Sequence, residues 1–183
     1  RVNELLLQSR NKRIKPTIDD KILVSWNALA IKGLVDAYLA IGDDGLLQMA
    51  IDAAQTISAT AMDGDGHLFH NLKNNQPSID GFLEDYAFLA QAYIQLYQAT
   101  FDDSWLHTAH RLAQFALANF SAEGSSLLYF TSAETPHLIA RKSEVTDNVT
   151  PSSNAVMAEV LLKLGAYFRI PEWEGRAFAM VQS

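Results

Sequence analysis

The sequence predicts an all-α fold of three helix pairs with short β-strands in the connecting loops. Asn27, Asp85 and Asn154 each open an apolar helical run, and Leu46, Trp105 and Trp173 follow them by nineteen, twenty and nineteen residues, each near the start of a second run. Within the runs, apolar residues recur at spacings of three and four, as one face of an α-helix requires. The order helix, helix, glycine turn, short strand occurs first across 26–70 and again across 83–131. A period of about 57 to 70 residues marks a repeat of helix pairs, which stack because neither helix buries its apolar face alone.

The elements follow in order. Residues 1–13 mix Leu5, Leu6 and Leu7 with charge and read as a short helix, and Lys12 to Pro16 reads as extended, solvated chain, because the residue before proline is pushed out of the α region. The first pair occupies about 26–62. Ser25 is its expected N-cap. Leu29, Ala30, Leu34, Ala37, Tyr38 and Ile41 form one face, and Gly42 to Gly45 forms the turn to an Ala-rich second helix. Asp63 and Asp65 alternate with Gly64 and Gly66 like part of a calcium loop, but the closing Glu is missing. A tight turn is the reading. His67 to His70 alternates as a small strand, and 72–79, with Pro77, reads as a loop.

The second pair, about 83–120, carries Leu83, Tyr86, Ala87, Leu89, Ala90, Tyr93, Ile94 and Tyr97 on its first helix, with Asp102 to Ser104 capping the second. Leu127 to Thr131 reads as a strand and 135–151 as a long polar loop. The third pair, about 153–182, starts behind Ser152 or Ser153 as cap. Pro171 suits the first turn of its second helix.

Composition narrows the function. The 183 residues are read as a single domain, 1–183, and the hydrophobic content of 49% supports one core. The net charge is -7, with 14 basic and 21 acidic side chains. No Lys/Arg run can track a phosphate backbone, which argues against nucleic acid as a partner. Cysteine is absent, which excludes disulfides, thiolate metal sites and a Cys nucleophile and favours a reducing, cytoplasmic compartment. No stretch of 18 apolar residues is expected to span a membrane. The first residues, Arg1-Val2-Asn3-Glu4, are neither an initiator Met nor a signal peptide, so a piece of a longer protein is expected.

Antiparallel pairs return the chain to one end before each new pair, so the residues opening the pairs are expected to share a surface. They are Asp19, Asp20, Lys21, Ser25, Trp26 and Asn27, then Asp80, Glu84, Asp85 and Tyr86, then Asp147, Ser152, Ser153 and Asn154. A cup of carboxylates, amides, Arg141 and aromatic rings suits a carbohydrate ligand. Asp85, Asp20 and Asp147 are the candidate catalytic carboxylates, as acid and base, and His70 is a candidate proton carrier. Trp26 and Tyr86 are candidate stacking faces for the sugar. Asn27, Arg141, Ser152 and Asn154 are candidate polar contacts. The plainer reading makes Asp85 and Asn154 caps that tie loops to helix ends, and Arg141 a salt-bridge partner within its loop. No metal site is expected. His67 and His70 stand at i and i+3 on a strand and face opposite ways, and His107 and His110 lack an acidic partner in helical register. No cofactor is expected.

Three ordered blocks carry a family resemblance. They are Arg13-x-x-Pro16-x-x-Asp19-Asp20-Lys21-Ile22-Leu23-Val24-Ser25-Trp26-Asn27, then Leu83-x-Asp85-Tyr86-Ala87 with Leu96-Tyr97-x-Ala99-Thr100-Phe101-Asp102, then Arg141 to Asp147 with Pro151-Ser152-Ser153-Asn154-Ala155. They resemble proteins of the YyaL / spermatogenesis-associated protein 20 type over nearly the whole chain. Ala28 and Ser153 depart from the resemblance, standing where the family usually shows Gly.

The resemblance implies an N-terminal thioredoxin-like domain in the parent chain, followed by a six-hairpin (α/α) toroid similar to N-acylglucosamine 2-epimerases and cellobiose epimerases. This chain is then a partial α/α toroid. Those epimerases use histidines late in hairpins, and His70 is the one residue here at a comparable location. An unclosed toroid exposes apolar helix faces that invite self-association. Three functions are open at this point: a sugar epimerase or isomerase, a non-catalytic binding module serving the thioredoxin-like domain, and a glycoside hydrolase with paired carboxylates.

Overall fold

The computed structural model describes residues 1–135 and 140–182. Along the chain run α1 (Val2–Asn11), β1 (Ile22–Leu23), α2 (Val24–Ile41), α3 (Asp44–Thr60), β2 (Phe69–Lys73), β3 (Gln76–Asp80), α4 (Leu83–Thr100), α5 (Asp103–Phe120), α6 (Ser153–Phe168) and α7 (Pro171–Val181). Helices α2, α4 and α6 stand side by side as an inner layer, and α3, α5 and α7 each back the helix before them. The architecture is a partial α/α toroid of three hairpins with short strands in the connections. Helix α4 is its centre. Every residue from Asp85 to Ile94 is buried, as an inner helix with neighbours on both sides and behind must be.

The three helix pairs share one turn. Each inner helix ends on a residue in the left-handed region, Gly42 (φ 73), Phe101 (φ 57) or Arg169 (φ 56), whose N–H returns to the carbonyl of Tyr38, Tyr97 or Gly165. The next residue or two then start the outer helix, with the carboxylates of Asp43 and Asp102 accepting the N–H of Gly45 and Ser104 and Pro171 in the first turn of α7. So short a turn makes each pair antiparallel. The starts of all three inner helices therefore lie at one end, together with the two longer connections.

Hydrogen bonds fix that end. The Ser25 N–H donates to Asp85 Oδ1 at 2.9 Å, and the Leu83 N–H to the Phe130 carbonyl at 2.9 Å. The Leu128 N–H donates to Asn154 Oδ1 at 2.8 Å.

The structure corrects several details of the sequence reading. Segment 72–79 is a hairpin rather than a loop: β2 and β3 pair antiparallel, with β1 on the other side of β2. Asn74 and Asn75 make the tip at φ 52 and 58, and asparagine tolerates those angles. Pro77 fits because β3 is an edge strand. Segment 127–131 forms a single bridge, Ser121 to Leu128, rather than a strand. Its N–H groups are spent one at a time, Tyr129 on the Phe120 carbonyl and Phe130 on the Lys142 carbonyl. Ser25 lies inside α2, whose N-cap is Leu23 without a side-chain cap bond. The missing acceptor comes instead from Asp85 on the neighbouring helix.

Helix α2 also reaches the length and mean hydropathy, 1.2, that would let a helix cross a bilayer. It is built as an inner helix, with Val24, Ala28, Ile31 and Val35 buried and a Lys32–Asp36 ion pair on its other side. Residues 136–139 of the expected polar loop lie outside the described residues.

Candidate functional site

The site is built on the first turn of α4. Asp85 is fully buried. It sits where its carboxylate reaches back to the N-cap, accepting the Phe82 N–H on Oδ2 at 2.9 Å. The same carboxylate accepts the Ser25 N–H from α2 and faces His70 from β2, whose Nδ1 lies 2.9 Å from Oδ2 and 3.2 Å from Oδ1. A carboxylate is an acceptor only, so three N–H donors fit its ionised form and hold His70 with the proton on Nδ1. Among the described residues Nε2 of His70 has no hydrogen-bond partner. The ring is held by contact with Phe82 at 4.8 Å, and Phe82 stacks on Phe130 at 5.0 Å.

Glu84 joins this centre, and Glu144 stands on the loop before α6. Glu84 Oε1 accepts the Ser25 hydroxyl at 3.3 Å. Glu144 belongs to the 140–152 loop, where its carbonyl accepts the Ser152 hydroxyl at 3.0 Å and Asn154 Nδ2 at 2.9 Å, and its Oε2 faces the Ser153 N–H at 3.4 Å. The starts of α2, α4 and α6 thus each contribute to one surface.

Electrostatics follow from burial and crowding. The hydrogen bond to Asp85 raises the His70 imidazole above its ordinary value, with burial opposing. Burial pushes the Asp85 carboxyl up, and the bonds from His70, Phe82 and Ser25 oppose that. Glu84 is raised by burial and by the charges of Asp85 and Glu144, against its Ser25 bond and His70. Two groups whose affinity for a proton is raised, His70 and Glu84, therefore lie side by side. Ligand atoms of His70, Glu84 and Asp85 fall within 4.8 Å of one another, the spacing a cation could bridge. Three N–H groups already donate to the Asp85 carboxylate in this cluster.

The candidate residues from the sequence divide. His70 and Asp85 are brought together, and Trp26 stands 60% exposed, lining a groove with Leu29, Val149 and Thr150. Asp20 pairs at the surface with Lys73 at 3.4 Å. Asp147 accepts the Ser152 N–H at 2.8 Å, and Ser152 is the N-cap of α6, its hydroxyl accepting the Ala155 N–H at 3.4 Å. Asn27 donates to the Leu23 carbonyl at 2.8 Å. Tyr86 lies in the core, stacked on Phe115 at 5.2 Å, its hydroxyl accepting the Leu68 N–H at 2.8 Å. Asn154 clamps both backbone groups of Leu128. Arg141 makes no salt bridge with Asp147 among the described residues. It donates to the Thr131 and Asn119 carbonyls and lies 4.2 Å over the Tyr129 ring. Glu84 and Glu144 were not singled out from sequence. The signal for Glu84 was its place beside Asp85 in the second repeat start, and nothing in sequence spacing marks Glu144.

Residues 10–161 match the family described as β-L-arabinofuranosidase, GH127 catalytic domain. The chain belongs to that family. It is also 29% identical over 188 residues to human spermatogenesis-associated protein 20, covering 97% of this chain and 24% of that protein. An uncharacterized protein of Caenorhabditis elegans is 30% identical over 184 residues, with 95% of this chain and 25% of that protein covered. The chain thus spans about a quarter of the length of the curated relatives it matches.

Solved structures share its fold. Cellobiose 2-epimerase of Bacillus thermoamylovorans superposes with a TM-score of 0.71 at 14% identity, covering 88% of this chain and 44% of that one. The GH76 α-mannanase of Bacteroides thetaiotaomicron gives 0.69 at 18%, covering 91% and 46%. Unsaturated glucuronyl hydrolase of a Bacillus species gives 0.68 at 18%, covering 93% and 49%. The shared fold is the six-hairpin α/α toroid, of which this chain covers part.

Proposed function

We propose that the protein is a carbohydrate-active enzyme of the epimerase or isomerase type, with His70 as its proton carrier. The observation that carries this is the His70–Asp85 pair at 2.9 Å, with Nε2 unpartnered among the described residues and Glu84 alongside. Asp85 orients the ring and stabilises the imidazolium. His70 Nε2 takes the proton from the carbon next to the carbonyl of an open-chain sugar, and the Glu84 carboxyl donates to the carbonyl oxygen. Trp26 offers a stacking face. The fold shared with cellobiose 2-epimerase supports the reading. The thioredoxin-like domain implied by the family resemblance is the proposed neighbour of this site in the parent chain.

A hydrolytic reading is favoured by a different observation: Glu84 and Glu144 lie within electrostatic reach of each other, and the family is described as a β-L-arabinofuranosidase. One experiment separates the two. The protein is incubated in D2O with cellobiose and, separately, with an aryl β-L-arabinofuranoside. Deuterium appearing at C2 of the reducing sugar, and lost in His70→Ala, is the expected result. Aryl release without deuterium incorporation replaces it with hydrolysis. Neither event, in a folded protein, defeats both.

A further inference from the structure

Trp26 is 60% exposed, although an indole carries a large apolar surface and is ordinarily well buried. It is the wall shared by two hollows. The first, of about 360 Å³, is lined by Asp19, Lys21, Leu23 and Asn27 as well. The second, of about 290 Å³, is lined by Leu29, Val149 and Thr150 as well. Its lining comes from α2 and from the loop before α6, the two flanks of α4. Trp26 directly follows Ser25, whose N–H and hydroxyl donate to Asp85 and Glu84. The shared wall therefore stands one residue along α2 from the partner of those carboxyls.

The two hollows differ in chemistry. In the first, Asp19 and Lys21 pair at 3.0 Å with both side chains well exposed, and an exposed pair of this kind is held weakly. Asn27 spends Nδ2 on the Leu23 carbonyl at 2.8 Å, and its Oδ1 has no hydrogen-bond partner among the described residues. Carboxylate, ammonium and amide oxygen together offer acceptors and donors to sugar hydroxyls, each of which both gives and takes a hydrogen bond. In the second hollow Leu29 and Val149 present only carbon, Val149 is 89% exposed, and Thr150 has the one polar side chain. A second sugar ring laid there would find a single side-chain hydroxyl for its own several. An alkyl or aryl group would lose only contact with water, which is favourable.

We infer that this cleft takes a sugar carrying an apolar alkyl or aryl group, the ring in the polar hollow and the group along Leu29 and Val149. The inference rests on the reading of this end of the molecule as a carbohydrate site, and not on which reaction follows. The test is binding, read by calorimetry or saturation-transfer NMR. The probes are the methyl and hexyl glycosides of β-D-glucopyranose and of β-L-arabinofuranose, with hexanol as the apolar group alone. In the sugar series that binds, the hexyl glycoside is expected to bind at least about tenfold tighter than the methyl one, a fraction of what the added methylenes give when fully buried. Val149→Asp, at an exposed position, brings the hexyl glycoside back towards the methyl level and leaves methyl glycoside binding in place. Hexyl and methyl glycosides binding alike, or a gain that Val149→Asp does not reduce, overturns the inference and leaves the carbohydrate reading standing. Hexanol binding as tightly as the hexyl glycoside overturns it as well. Failure of every glycoside to bind overturns the carbohydrate reading, and the inference with it.

Discussion

Asp85 serves three elements at once, and its replacement separates its duties. In Asp85→Ala the buried N–H groups of Ser25 and Phe82 lose their acceptor and His70 its counter-charge. The expected loss is about 3 kcal/mol, more than an exposed cap contributes, read from urea unfolding midpoints. Asp85→Asn keeps an acceptor for the N–H groups but no charge for the imidazole. It should retain most of the stability while any His70-dependent turnover falls by about 10²–10⁴-fold. Equal effects of the two substitutions would reduce Asp85 to a structural tie.

The sign of the pH effect on stability is also fixed at this residue pair. The folded-state pKa of His70 lies above its ordinary value of 6.5, so the folded state binds the proton more tightly. Its contribution is full below that value and fades as pH rises through the folded-state pKa. Melting temperatures should fall as pH rises above 6.5, and His70→Gln should flatten that slope.

At the scale of elements, the shared helix-pair turn supplies a prediction with the opposite sign. Arg169 adopts φ 56 at the end of α6, where a side chain costs about 1–2 kcal/mol. Arg169→Gly removes that strain and gives back about 0.5–1 kcal/mol in unfolded-state entropy. A net gain of about 0.5 kcal/mol is expected, measured by thermal or urea unfolding.

Gly81 behaves differently. A Cβ there would lie 2.6 Å from the Leu68 carbonyl oxygen and 3.0 Å from Tyr86. Gly81→Ala should therefore destabilise by about 1–3 kcal/mol and shift the His70 resonances, because the hairpin that carries His70 is held through this contact.

The helix pairs were legible in sequence because spacing of three and four reports burial directly. The hairpin was missed because Pro77 reads as a loop signal, whereas the structure places it on an edge strand where its missing N–H costs nothing. Asp85 was legible as a polar residue at a repeat start, and His70 as a polar residue on a short strand. Their contact was not, since it joins residues fifteen apart through the docking of β2 on α4, which no periodicity records. Tyr86 and Asn154 looked the same in sequence and turned inward, because each satisfies the backbone of an inter-hairpin connection, at Leu68 and Leu128.

For the whole molecule, burial ranks the parts. Helix α4 is buried almost throughout and α1 has no buried residue. Amide exchange of α4 should require global unfolding, while α1 exchanges at close to the rate of a free peptide. Slow exchange spread evenly over both would contradict this division.

The division reaches the site itself. His70 rides on a turn-linked ribbon whose tip, Asn74–Asn75, is exposed, while its partner Asp85 is anchored in the most buried helix among the described residues. Scaffold and reagent are therefore separable parts. A change of length or sequence in the ribbon can re-aim the imidazole, or replace it with another reactive group, without disturbing the bundle beneath.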